Sequence, residues 1–323
     1  METFSSNYCS GYDKNEIDDE KNHKKQQYEK QYETIILSGG AIRALALLGC
    51  LQFLKDTKQL DSIKRYVGTS MGAIISYFIC IGYSPDELIC ELSRSEWLRT
   101  IKKKLSVFGL ITRKGVLQYE EVMYPFLKSF TFKKMDYVPT LLQVYQLYKK
   151  ELIMCSYNLT KKTECFISYE SHPDISCLEA IRMTSSLPFL FEPHIYECEI
   201  YVDGAVLHNF PIHYLNNHKD KALTTIGISV MNEENISVEK IEKDNYTEKM
   251  DMGFFEYLWN IIVIPLQYLY KHENETFKHL YDVFEIKIER TSPFNFTIDT
   301  KTLLDIFSDG YEKLKKQMHI SSS

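Results

Sequence analysis

From residue 33 onward the chain alternates short apolar runs with longer stretches in which apolar residues recur every three or four positions. The short runs, at 33–38, 63–67, 151–157, 163–168, 195–202, 224–230 and 283–289, read as strands. The longer stretches, at 41–57, 71–81, 86–99, 116–129, 176–185 and 300–316, read as helices. The first of these sets Leu45, Leu47, Leu48, Leu51 and Leu54 along one helix. Strands that alternate with helices predict an α/β fold, three layers α/β/α deep, around a mostly parallel central sheet. No internal repeat is apparent.

Two segments fall outside this alternation. Residues 1–32 are polar and of mixed charge, with few aliphatic side chains to offset the entropy of ordering, so a disordered tail is expected there. Residues 33–230 form the expected core, and 231–323 an extension that packs on it. Within that extension, 253–271 is almost continuously apolar, with Glu256, Asn260, Gln267 and Lys271 gathered on one narrow stripe. This predicts an amphipathic helix, bent at Pro265. It reads either as a helix packed on the sheet or as a lid that leans into a lipid surface, where Trp259 and its neighbouring tyrosines suit the headgroup zone. These four polar residues and the proline argue against a transmembrane span.

The chain has 323 residues, 44% hydrophobic and 25% charged, which is ordinary for a globular protein. A net charge of -6 and the lack of a basic stripe give no reason to expect nucleic acid. The eight cysteines show neither CxxC nor Cys/His metal spacing and read as reduced, structural thiols, so no metal or other cofactor is expected. The N-terminus has no positive-then-apolar signal pattern, which points to an intracellular, cytoplasmic setting with peripheral membrane contact left open.

Three turns carry the chemistry. Gly68-Thr69-Ser70-Met71-Gly72 lies between an apolar run ending at Val67 and a helical run starting at Ala73. GxSxG there describes a nucleophile elbow, a tight strand-to-helix turn that holds a serine exposed at a helix N-terminus. Upstream, Ser38-Gly39-Gly40-Ala41-Ile42-Arg43 joins the first strand to a helix and offers free backbone amides. It matches neither GxGxxG nor GxxxxGK[ST], which disfavours a nucleotide loop. Downstream, Ile200-Tyr201-Val202-Asp203-Gly204-Ala205, followed by Asn209 and Pro211, ends a strand in an aspartate at the sheet edge where open α/β folds place their sites.

In this order the three turns resemble the signature of the patatin-like phospholipases, over roughly residues 33–230 and including Ser185–Pro193 ahead of the aspartate. The resemblance implies Ser70 as nucleophile, Asp203 as general base, Gly39, Gly40 and Ala41 as the oxyanion loop, and Arg43 as the basic residue behind it. Gly68, Gly72 and Gly204 would support the turns. It further implies calcium-independent phospholipase A-type cleavage of phospholipid or acylglycerol esters at a membrane surface, with no metal. Two positions depart from the family, which usually has glycine where Ala41 and Ala44 stand. Should the loop need φ > 0 at Ala41, the oxyanion hole would be distorted.

The α/β-hydrolases also use GxSxG, but here the elbow follows only the second strand and no late histidine follows an acidic residue convincingly. His208 is the nearest candidate for a third catalytic member, while His194, His213 and His218 read as exposed loop or helix-end residues. The competing functions are a catalytically silent lipid-surface scaffold and an acyltransferase of the same chemistry.

Overall fold

The computed structural model describes residues 31–95, 97–104, 106–218, 223–232, 261, 281–288 and 298–320. The apolar segment 253–271, apart from Ile261, and residues 1–30 of the polar tail lie outside them. The core starts earlier than the sequence suggests. Tyr32, assigned above to the tail, is fully buried and its hydroxyl donates to Asp282 Oδ2 at 2.8 Å.

Eight strands form the central sheet: β1 (Thr34–Leu37), β2 (Arg65–Thr69), β4 (Glu151–Asn158), β5 (Thr163–Ile167), β7 (His194–Tyr196), β8 (Glu199–Asp203), β9 (Thr225–Asn232) and β10 (Asp282–Ile288). Their hydrogen-bonded order is β10-β9-β1-β2-β4-β8-β7, with β5 also on β4. Pairing is parallel from β10 through β9, β1 and β2 to β4, and antiparallel for β5, β8 and β7. A second, two-stranded parallel sheet joins β3 (Gly115–Leu117) to β6 (Phe189–Phe191).

Side chains alternate across the sheet with the period of two that a pleated strand imposes. Ile35, Leu37, Tyr66, Leu152 and Met154 enter the large core on one face, while Ile36, Val67 and Ile153 enter a smaller one on the other. The large core is built by α1 (Leu45–Asp56), α2 (Met71–Cys80), α3 (Pro85–Arg94), α4 (Trp97–Lys104), α6 (Tyr119–Phe132), α7 (Leu141–Tyr148), α8 (Cys177–Ser185) and α9 (Thr300–Ile320). The smaller core is closed, among the described residues, by Phe210 and the 3-10 segment Ile212–Asn217, which contributes Ile212, Tyr214 and Leu215.

α1 is apolar nearly all round, as a helix enclosed by other elements must be. On its outer side α9 crosses it in backbone contact. A Cβ on Gly310 would stand 2.0 Å from Ala46 O, and Cys50 Sγ donates to Gly310 O at 3.2 Å.

Four elements differ from the sequence reading. The helix expected at 86–99 is two helices, because Ser95 is extended (φ -79°, ψ 149°) and its hydroxyl takes the Leu92 carbonyl at 2.8 Å. The helix expected from 116 starts at Tyr119, since Gly115–Leu117 is drawn into pairing with β6. The strand expected at 195–202 is a hairpin whose turn residues, Glu197 (φ 48°) and Cys198 (φ 64°), are both left-handed. The helix expected from 41 opens with a 3-10 turn, Ala41–Ala44. Among the described residues no single helix is long and apolar enough to cross a membrane.

Candidate active site

β2 ends at Thr69 and α2 begins at Met71, so Ser70 alone makes the turn, with φ 53° and ψ -121°. That conformation is costly for a residue with a side chain and persists only where its surroundings impose it. Here they do. A Cβ on Gly72 would stand 2.4 Å from Ser38 O, and one on Gly68 2.6 Å from Ala73 N, so the glycines let the elbow press against the end of β1. The Ser70 N–H donates to Thr184 Oγ1 at 3.1 Å, and the Thr184 hydroxyl in turn donates to the Cys155 carbonyl on β4.

Asp203 reaches the same place from the opposite direction. β4 pairs parallel with β2 through Cys155↔Thr69, and antiparallel with β8 from Ser156↔Asp203 onward. β5 pairs with both halves of β4 across Met154–Asn158, so it must hold the other edge, and β2 and β8 share the remaining one end to end. Their C-terminal ends therefore meet head-on at Cys155–Ser156. This brings Ser70 and Asp203 together although 133 positions separate them.

The Asp203 carboxyl is fully buried, and burial pushes it up from the usual carboxylate range to about 7, a rise that the Ser70 hydroxyl and the Ala205 N–H partly offset. Oδ1 accepts from Ala205 N at 2.8 Å, while Oδ2 is buried and makes no hydrogen bond among the described residues. Gly204 permits the fit, because a Cβ there would stand 2.4 Å from Cys155 O.

The glycine loop lies across the elbow. Gly39 N donates to Asn209 O at 2.9 Å, so its amide is taken up in holding the loop. The N–H groups of Gly40 and Ala41 meet no acceptor among the described residues. Ala41 has φ 48°, the left-handed backbone that the glycine usual at this position adopts freely. Ala44, at φ -62° and ψ -10°, is ordinary right-handed helix and needs no glycine. Ser38 fastens the loop to β9, its Oγ accepting from Val230 N and donating to Gly39 O, both at 2.9 Å. Arg43 is largely buried behind the loop, and burial lowers its guanidinium to about 10.

The segment after Asp203 holds both turns, with His208 O accepting from Thr69 Oγ1 at 3.1 Å and Asn209 O from Gly39 N. The His208 ring stacks on His213 at 3.7 Å and leaves Asp203 Oδ2 unbonded, so no third catalytic member is assembled there. Of the other histidines, His218 caps the 3-10 segment Ile212–Asn217, a helix end as expected, whereas His194 and His213 are not exposed. His194 is buried with Nε2 2.7 Å from Glu179 Oε1, His213 pairs with Glu164, and His218 Nδ1 lies 2.9 Å from Tyr214 O. Thr184 escaped the sequence reading, although the run of small polar residues Thr184-Ser185-Ser186 ahead of Leu187-Pro188 was its only visible sign.

A family model for the patatin-like phospholipases matches residues 35–216, more than half of the chain. The chain belongs to the patatin-like phospholipase family. Among similar proteins, the probable lipid hydrolase 463L of Invertebrate iridescent virus 6 is 33% identical over 184 residues, covering 57% of this chain and 63% of that one. The match thus spans somewhat under two thirds of that relative. Uncharacterized protein R571 of Acanthamoeba polyphaga mimivirus is 28% identical over 297 residues, 90% of this chain and 95% of that one. In fold, VipD from Legionella pneumophila superposes with a TM-score of 0.51 at 13% identity, over 90% of this chain and 67% of that one.

Proposed function

We propose that this patatin-like protein hydrolyses fatty-acyl esters of glycerophospholipids or acylglycerols through a Ser70/Asp203 dyad. The observation that carries this reading is the head-on meeting of β2 and β8, which sets a half-buried elbow serine against a buried carboxylate. Ionised Asp203 accepts the Ser70 proton as Ser70 Oγ bonds to the ester carbonyl carbon. The amides of Gly40 and Ala41 and the N-terminus of α2 stabilise the negative oxygen that forms. The C–O bond to the glycerol then breaks, and the departing alkoxide takes the proton from Asp203. Water attacks the acyl-serine in the second half, giving its proton to Asp203, which returns it to Ser70 Oγ as the fatty acid leaves.

A lipid substrate is supported by the kinship with a probable lipid hydrolase and by the surroundings of the carboxylate. Leu207, four residues after Asp203, is 38% exposed. Phe189, which follows the segment whose Ser186 carbonyl accepts from Asp203 N, is 40% exposed.

The test is to treat the purified protein with a fluorophosphonate, locate the adduct by mass spectrometry, and compare ester hydrolysis by the native protein, Ser70→Ala and Asp203→Asn. Adduct on Ser70 and loss of turnover in both variants are expected. Equal hydrolysis by Ser70→Ala would leave a lipid-binding protein without this chemistry.

A further inference from the structure

On the face of the sheet opposite the helical core, three segments bring nitrogen and oxygen donors to one point. Glu164 comes from β5, His208 from the loop after Asp203, and His213 from the 3-10 segment that covers this face. One donor atom from each lies within 4.8 Å of the other two, the sole such group of three His, Cys, Asp or Glu donors among the described residues. All three side chains are half-buried.

We propose that Glu164, His208 and His213 form a binding site for a divalent transition metal of the zinc type. Two imidazoles and one carboxylate are a donor set that zinc takes with a fourth place left for water. Ligand bonds of about 2.0–2.2 Å would draw the donors some ångström closer than they now stand, which side-chain rotation supplies.

Three observations support the assignment. The imidazole rings of His208 and His213 lie against each other, 3.7 Å between centroids and tilted by 36°, with the Glu164 carboxylate bonded to His213. His213 Nδ1 is also buried and has no hydrogen bond among the described residues. Glu164 Oε1 is in hydrogen-bonding contact with both the His213 ring and the Cys155 thiol, which turns the carboxylate toward the two imidazoles.

Cys155 supplies an outer partner. Its thiol is fully buried and donates to Glu164 Oε1 at 3.2 Å. A donor behind a ligating carboxylate fixes its orientation. The ion would in turn fasten the stretch from 208 to 213, whose His208 and Asn209 carbonyls hold Thr69 and Gly39. The site stands on its own geometry and does not depend on the hydrolase reading.

The test uses the full chain, stripped with a chelator and titrated with Zn2+ by calorimetry and with Co2+ by visible absorption. We expect a single zinc ion per chain that raises Tm, and the intense bands of a four-coordinate Co2+ centre. The His208→Ala/His213→Ala variant should lose both, and Cys155→Ala should bind Zn2+ about 10–100-fold more weakly. Should the double variant fail to fold, Glu164→Gln, which keeps size and hydrogen bonding, should weaken Zn2+ binding at least tenfold. Absence of the Co2+ bands from the native protein, or equal zinc affinity in native and Glu164→Gln chains, overturns the assignment and leaves Glu164 and His213 as an ion pair.

Discussion

Thr69 and Asp203 take successive places along one edge of β4, opposite Cys155 and Ser156, though their strands run in opposite directions. The distance between serine and carboxylate is therefore set by backbone pairing to a common strand. A side-chain change elsewhere can alter the chemistry of the pair, but only a shift of β2 or β8 on β4 can part it.

The ionisation of Asp203 gives the first expectation. Since burial raises its carboxyl to about 7, the base form is lost below neutrality, and kcat/KM on a short-chain ester should fall on the acid side with a midpoint near that value. A midpoint near the ordinary carboxylate range, about 4, would exclude Asp203 as the base.

The same shift acts on stability with the opposite sign. The unfolded carboxyl ionises near pH 3.9, so between roughly pH 4 and the folded value of about 7 only the native state keeps the proton, and stability declines as pH rises through that window. Asp203→Asn removes the buried charge. Its Tm should exceed that of the native chain at alkaline pH, and the gap should shrink toward pH 4.

At Ala41 the left-handed backbone is relieved by glycine. Relief of about 1–2 kcal/mol is offset by about 0.4–1 kcal/mol of added freedom in the unfolded chain, so Ala41→Gly should be slightly more stable and at least as active. Ala41→Val, β-branched at the same φ, should lose stability and tilt the amide, with turnover falling by up to about 10²-fold. Urea melts and initial rates on the pair check this.

Thr184 holds the elbow from behind. Thr184→Val keeps the shape but strands the Ser70 N–H and the Cys155 carbonyl, at about 1–3 kcal/mol for a buried unsatisfied group. Thr184→Ser should restore both stability and fluorophosphonate labelling of Ser70; failure of that rescue would assign Thr184 to packing alone.

Gly204→Ala tests the seat of β8. Its Cβ would meet Cys155 O at 2.4 Å, so the strand must back away from β4. Overpacking of this kind costs about 1–3 kcal/mol, and labelling of Ser70 should drop with it.

The three turns were legible because each is local: the glycine loop, the elbow and the Asp-Gly corner are fixed by neighbouring residues and by the backbone they require. So was the alternation that predicts the sheet. What stayed hidden depends on partners far along the chain. Nothing in Gly115–Leu117 announces a strand until β6 arrives beside it, and Glu197-Cys198 lacks the glycine or asparagine that marks a left-handed hairpin turn. Tyr32 looks like part of a polar tail until Asp282 meets its hydroxyl. Glu164 and His213 are drawn together by folding of the second face, with no spacing to betray them.

α1 starts directly behind Gly40 and Ala41, and its outer flank is covered by α9, whose Gly310 lies against Ala46. A nascent chain that has emerged as far as residue 299 already carries serine, aspartate and loop, yet its first long helix still exposes an uncovered greasy side. A chain truncated at 299 should show no Ser70 labelling. On the hydrolase reading, turnover would then wait for the synthesis of α9, the helix that seats the loop, so the order of translation would set when the site is complete.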